Sequence, residues 1–123
     1  MKCVLALALA ALSCRLPSPV EDPELVTSLR FSPSAFDSFK RNTELRYTLK
    51  YPVRLTLLIV YRDSAGVESL VRTLGADLAE TAGAHAHTWI GDTMHGAFAP
   101  AGRYLGRLRV GGESFETDVL IYH

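Results

Sequence analysis

Between Glu44 and Tyr61, apolar and polar residues alternate with a period of two. Leu45, Tyr47, Leu49 and Tyr51 interleave with Glu44, Arg46, Thr48 and Lys50, and beyond Pro52 the residues Val53, Leu55, Leu57, Ile59 and Tyr61 share one parity. A period of two sends one set of side chains to a core and the other to water. The stretch therefore predicts two consecutive strands, 43–51 and 53–62. Pro52 has no N–H and restricts the residue before it, so it marks the connection between them. Leu58 and Val60 are apolar on the wet parity. They need cover from residues 75–83, from the N-terminal segment or from a partner.

The same reading places strands at 25–31, 67–74, 84–90, 103–110 and 113–122. Ser32-Pro33 ends the first. Residues 34–41 read as one helical turn or a polar loop. Asp63-Ser64-Ala65-Gly66 is a turn cluster and Gly111-Gly112 a tight hairpin signal. Residues 75–83 read as a loop or short helical turn. Residues 91–102, carrying Gly91, Gly96, Gly102 and Pro100, read as a long loop. Short strands at this spacing, with no long helical period, predict an antiparallel β-sandwich of about seven strands. Trp89, Tyr104, Leu57 and Leu108 are its expected core anchors.

At 123 residues and 48% hydrophobic, the chain has material for one packed domain, expected over 25–123. Lys plus Arg is 13 and Asp plus Glu is 13, with the basic residues scattered, so nothing favours nucleic acid. The two cysteines, Cys3 and Cys14, stand before the domain and cannot staple its sheets. Packing must hold them. Met1-Lys2, the apolar run from Cys3 to Leu12 and the small residues that follow have the layout of a signal peptide, 1–13. The run is about half the ~20 residues that span a bilayer. Ala11-Leu12-Ser13-Cys14 resembles a bacterial lipobox, which implies lipidation of Cys14 and attachment to a membrane surface. The alternative is an ordinary secretory signal. Pro17, Pro19 and Pro23 make 14–24 an extended linker.

From about Phe31 to Val110 the chain resembles the immunoglobulin-like domain of the bacterial flagellar hook-capping protein, a module of many exported bacterial proteins. The resemblance is carried by Phe31-Ser32-Pro33, Thr43-Glu44-Leu45-Arg46-Tyr47-Thr48-Leu49 with Pro52, and Gly66 with the run from Leu70 to Leu74. It continues with Gly83-Ala84-His85 before Trp89 and Gly91, then Pro100-Ala101-Gly102-Arg103-Tyr104. Ile90 and His87 depart from that pattern. The resemblance implies an immunoglobulin/fibronectin-III-like sandwich used for assembly or as a spacer.

Chemistry is sparse. Trp89 on a strand reads as a core anchor, against a sugar-stacking platform. His85 and His87, two apart on one strand, point the same way. With His95 or Asp92 they would make an open metal site, but no further motif supports it. The simpler reading is a strand-end histidine and a half-buried one. No nucleophile elbow or oxyanion loop is present. Arg103, Arg107 and Arg109 form a basic stripe that Glu116 and Asp118 can pair across the Gly-Gly hairpin.

The expectation is a non-enzymatic exported module without a cofactor, for scaffolding, adhesion or association with other envelope or secreted proteins. Its candidate surface is Leu58, Val60, Arg107 and Arg109, with loops at one end or an exposed sheet edge as further routes. The alternatives are a carbohydrate-binding module using Tyr51, Tyr61 or Phe98, and a metal-dependent enzyme at His85, His87 and His95.

Overall fold

The computed structural model of the chain describes residues 25–123. The expected signal segment, Cys14 and the linker lie outside the described residues. Among the described residues there are eight strands: β1 (Val26–Ser32), β2 (Ala35–Phe36), β3 (Thr43–Leu49), β4 (Val53–Arg62), β5 (Glu68–Glu80), β6 (Gly83–Trp89), β7 (Gly102–Val110) and β8 (Glu113–Ile121). One sheet has the order β1-β3-β6 and the other β2-β8-β7-β4-β5. Neighbours are antiparallel except β2, which lies parallel to β8. The chain is an all-β sandwich.

Pro52 lies where the chain changes sheets: β3 belongs to the three-stranded sheet and β4 to the five-stranded one. Register then assigns two ends. Leu25, the β3–β4 connection, the β5–β6 turn and the Gly111-Gly112 hairpin gather at the near end, where the chain enters the domain. Trp89, the β4–β5 turn, residues 91–102 and Ile121 gather at the far end.

The inward parity of each long strand fills the core. Leu45, Tyr47 and Leu49 face Leu55, Leu57 and Ile59 of β4 and Tyr104, Leu108 and Val110 of β7, all buried. Trp89 is buried between Phe36 and Tyr104, in edge-on contacts at 5.8 and 5.6 Å. Gly106 stands between Tyr104 and Leu108 on that parity. A Cβ there would lie 2.6 Å from Phe31 Cε2 and 3.3 Å from Leu45 Cδ1. The missing side chain is thus the hole in one sheet that takes the Phe31 ring from the other.

Two expectations need correction. Residues 75–83 are not a loop or helical turn, because β5 runs on to Glu80. Its 13 residues pair with the 10 of β4. The difference is taken up at three register shifts, Leu55/Leu57, Leu57/Leu58 and Ile59/Val60, each adding one residue on β5. Such bulges break the alternation that identifies a strand. Leu78 folds back over Gly75, where a Cβ would meet it at 2.4 Å, and Asp77 has φ 51°. Residues 34–41 are more than a single turn or loop. They hold β2 and a tight turn in which Lys40 and Arg41 N–H donate to Asp37 O and Phe39 N–H donates to Asp37 Oδ1. Phe36, fully buried there, adds an eighth strand to the expected seven.

Gly106→Ala should cost about 1–3 kcal/mol, the usual price of overpacking a close-fitted core. Urea unfolding of Gly106→Ala, Phe31→Leu and the double variant checks this. The double variant should lose less than the sum of the singles, because both act on one contact.

Candidate functional site

Three side-chain groupings carry the polar chemistry and the surface relief. The first closes one flank of the sandwich toward the near end. His85 and His87 face inward from β6, opposite Tyr47 and Leu45. Both rings lie over the Tyr47 ring, with centroids at 5.4 and 5.9 Å. Glu80, at the end of β5 in the other sheet, reaches between them. Tyr47 Oη–H donates to Glu80 Oε2 at 2.5 Å, and His87 Nε2–H donates to the same oxygen at 3.0 Å. His85 Nε2 lies 2.7 Å from Thr81 O; a carbonyl only accepts, so that nitrogen carries the proton and Nδ1 faces Glu80 Oε1 at 3.7 Å.

Burial raises the Glu80 carboxyl, but the hydrogen bonds from Tyr47 and His87 and the nearby imidazoles outweigh it and hold the group below the ordinary carboxylate range. Burial, then the hydrogen bond to Glu80 and its charge, push the Tyr47 phenol far above its ordinary value. The arrangement is a polar clasp between sheets. His95 lies in the far-end loop, away from it, and Asp92 faces Arg72 at 3.6 Å. The structure does not bring His85, His87 and His95 together. Among the described residues no group of three His, Cys, Asp or Glu side chains is arranged to hold a metal.

The second grouping overturns part of the expected interaction surface. Val60 is 4% exposed and is no docking residue. The register explains its cover. Arg107 lies opposite Leu58 on one side of β4, and Glu68 lies opposite Arg62 on the other. The Arg107–Glu68 bridge, 2.8 Å, therefore passes over Val60. Arg62 bonds Glu68 at 2.5 Å and faces Glu116 at 3.4 Å, while Arg107 also bonds Glu116. The charged heads stay wet and their stems roof the valine. Neither residues 75–83 nor a partner supplies this cover. Leu58 is half-buried, Arg107 is engaged in the network, and Arg109 alone of the four is exposed. Arg103 pairs with Asp118 at 3.2 Å.

The third grouping is the far end. Residues 91–100 form a small hairpin of their own. Ala99 N–H donates to Gly91 O, Thr93 N–H to Ala97 O and Gly96 N–H to Thr93 O, and Asp92 bridges Phe98. Gly91 is required twice, since its φ is 84° and a Cβ would lie 2.5 Å from Ser38 Cβ. Trp89 Nε1–H donates to Asp92 O at 3.0 Å, and Tyr104 Oη–H donates to Pro100 O at 2.6 Å, so the core holds both stems. The tip is docked on the β5 edge by Met94 N–H to Val71 O at 2.8 Å and by Thr73 N–H to Met94 Sδ at 3.2 Å.

Between this hairpin and the β4–β5 hairpin lies a cavity of about 550 Å³, lined by Tyr61, Leu70, Val71, Met94, His95 and Tyr104 among others. On the other flank lies a shallower depression of about 320 Å³, lined by Ser38, Lys40, Arg41, Asn42, Ile90 and Phe98. Sequence reasoning named loops at one end, Tyr61 and Phe98, but did not bring these two hollows together. The pieces are scattered along the chain, and the only signal in them is that Met94 and Phe98 are apolar within a glycine-rich loop.

Compared with models of protein families, with curated proteins and with solved structures, the chain matches none.

Two outcomes follow. Tyr47→Phe should cost about 1–2 kcal/mol in urea unfolding, because it strips a donor from an ionised, largely buried carboxylate. The hydrogen bonds from Arg107 and Arg62 hold the Glu68 carboxyl at about 2, against an ordinary 4.5. A group with a depressed folded pKa stabilises fully above its unfolded value and ceases to as pH falls through the folded one. Melting temperature should therefore fall between about pH 4.5 and 2, and Glu68→Gln should flatten that limb.

Proposed function

We propose that this chain is an exported, non-enzymatic immunoglobulin-like module, lipid-anchored through Cys14, that binds an envelope or secreted protein with its far end. One observation carries the reading. All eight large hydrophobic side chains exposed among the described residues lie at that end. Phe39, Ile90, Phe98 and Tyr122 surround one flank of the 91–100 hairpin, and Tyr61, Val67, Leu70 and Met94 the other. Exposed apolar side chains concentrated at one end in this way mark an interaction site. The N-terminal segment enters at the opposite end, so a tether there presents this surface outward.

Support for the immunoglobulin-like arrangement comes from the three-plus-five sheet order and from Tyr104. Near the start of β7, its hydroxyl reaches back to a carbonyl four residues upstream, as in a tyrosine corner. Support for a binding role over catalysis comes from Glu80, Tyr47, His85 and His87, whose polar atoms face one another across the sheets. The carbohydrate alternative fares less well. Tyr51 stands at the near end, before β4, while Tyr61 and Phe98 lie at the far end, so the three aromatics do not form one platform.

Photo-crosslinking on the exported chain tests this, with p-benzoylphenylalanine replacing Met94, Phe98 or the near-end Ser114. Adducts of defined mass should arise from Met94 and Phe98 and not from Ser114. Fatty-acid label should be present on the parent and lost in Cys14→Ser. Adducts from Ser114 alone, or from no position, would overturn the far-end assignment.

A further inference from the structure

The two hollows of the far end are adjacent. Phe98 lines the depression and Ala99 lines the cavity, and consecutive Cα atoms are about 3.8 Å apart. Their chemistry differs. The cavity is walled by Tyr61, Leu70, Val71 and Tyr104, with His95 its one imidazole and no carboxylate, lysine or arginine in its lining. The depression presents two cations and an amide beside Ile90 and Phe98. Neither Lys40 nor Arg41 has an ion-pair partner among the described residues. The acids flanking them in the chain are engaged elsewhere: Asp37 accepts from Phe39 N–H, and Glu44 pairs with Arg46. Ser38, 6% exposed, also lines this hollow, and its Oγ has no hydrogen-bond partner among the described residues. A buried donor left unpaired beside two unmatched cations is an environment for an anionic oxygen.

We propose, resting on the far-end reading above, that the occupant is an extended acidic peptide segment of a protein partner. A bulky apolar side chain enters the cavity, and one or two carboxylates on the same strand cross the 91–100 hairpin to Lys40 and Arg41. Neighbouring residues of an extended segment advance about 3.3 Å, so a stretch of four or five reaches both hollows. The relief selects a peptide over a membrane, because the apolar cavity is concave and a bilayer surface cannot fill it. The aromatic arrangement selects it over a sugar. The Phe39 ring is stacked on His123 at 3.9 Å and meets Phe98 edge-on at 4.9 Å, so these rings pack on each other instead of offering an open platform.

The experiment is selection of a random peptide library against the purified full chain. Enriched peptides are then synthesised for fluorescence polarisation, and phosphatidylglycerol vesicles are run in parallel. Enriched sequences should place Asp or Glu within four residues of Leu, Ile, Phe or Met. Lys40→Glu with Arg41→Glu should weaken binding at least tenfold, and a peptide with Lys in place of its acids should bind that double variant instead. Leu70→Glu should weaken binding as much without lowering the melting temperature. Peptides that depend on Leu70 but not on Lys40 and Arg41 overturn the acidic-ligand inference and leave the far-end reading standing. No enrichment, or binding indifferent to all three residues, overturns both. Retention of vesicles without peptides overturns the inference in favour of a lipid surface.

Discussion

The far end is built on a single indole. Trp89 ends β6 with its ring edge-on to Phe36 and Tyr104, which bring in β2 and β7 from the opposite sheet. Its N–H reaches Asp92 O and so fixes the chain as it leaves the sandwich. Aromatic contacts of this geometry combine large apolar burial with directional preference, and the buried N–H needs its acceptor. Everything that gives the far end relief follows from that placement. The 91–100 hairpin starts where the indole holds it, Tyr104 holds its other stem, and the cavity and depression are the spaces on its two flanks.

The sandwich is otherwise held by unequal means along its length. Toward the far end the contacts between sheets are aromatic, including Phe31 against the gap at Gly106. Toward the near end the flank between β5 and β6 is closed by Glu80, Tyr47 and the two histidines. A charge in that position is tolerated because one of its oxygens, Glu80 Oε2, accepts two hydrogen bonds. The outer face of the five-stranded sheet adds a third device, the Arg62, Glu68, Arg107 and Glu116 network over Val60. Exposed ion pairs contribute little singly, and this one matters chiefly as a roof over an apolar residue that alternation alone leaves uncovered.

Alternation made β3, β4, β7 and β8 legible, and Pro52 and Gly111-Gly112 marked their connections. These strands each bury one parity, which is what a period of two reports. β5 was legible only to Leu74, since each of its three bulges resets the parity. β2 has two residues and no period to read. The candidate sites were less accessible. The shared direction of His85 and His87 could be read, but their neighbour Glu80 sits on a strand not expected to extend so far. The cover over Val60 depends on which residues of β5 and β7 stand opposite β4, a matter of register that no single strand records. The far-end hollows draw on residues from 38 to 104, and only the closed fold assembles them.

The entry of the chain at Leu25, opposite the apolar end, has a mechanical meaning. A pull between the N-terminal segment and a partner held at the far end runs parallel to β1. The six residue pairs that join β1 to β3 have their hydrogen bonds perpendicular to that direction. They are loaded together in shear instead of being peeled one at a time. A domain wired this way resists extension along its own axis and is suited to carry tension.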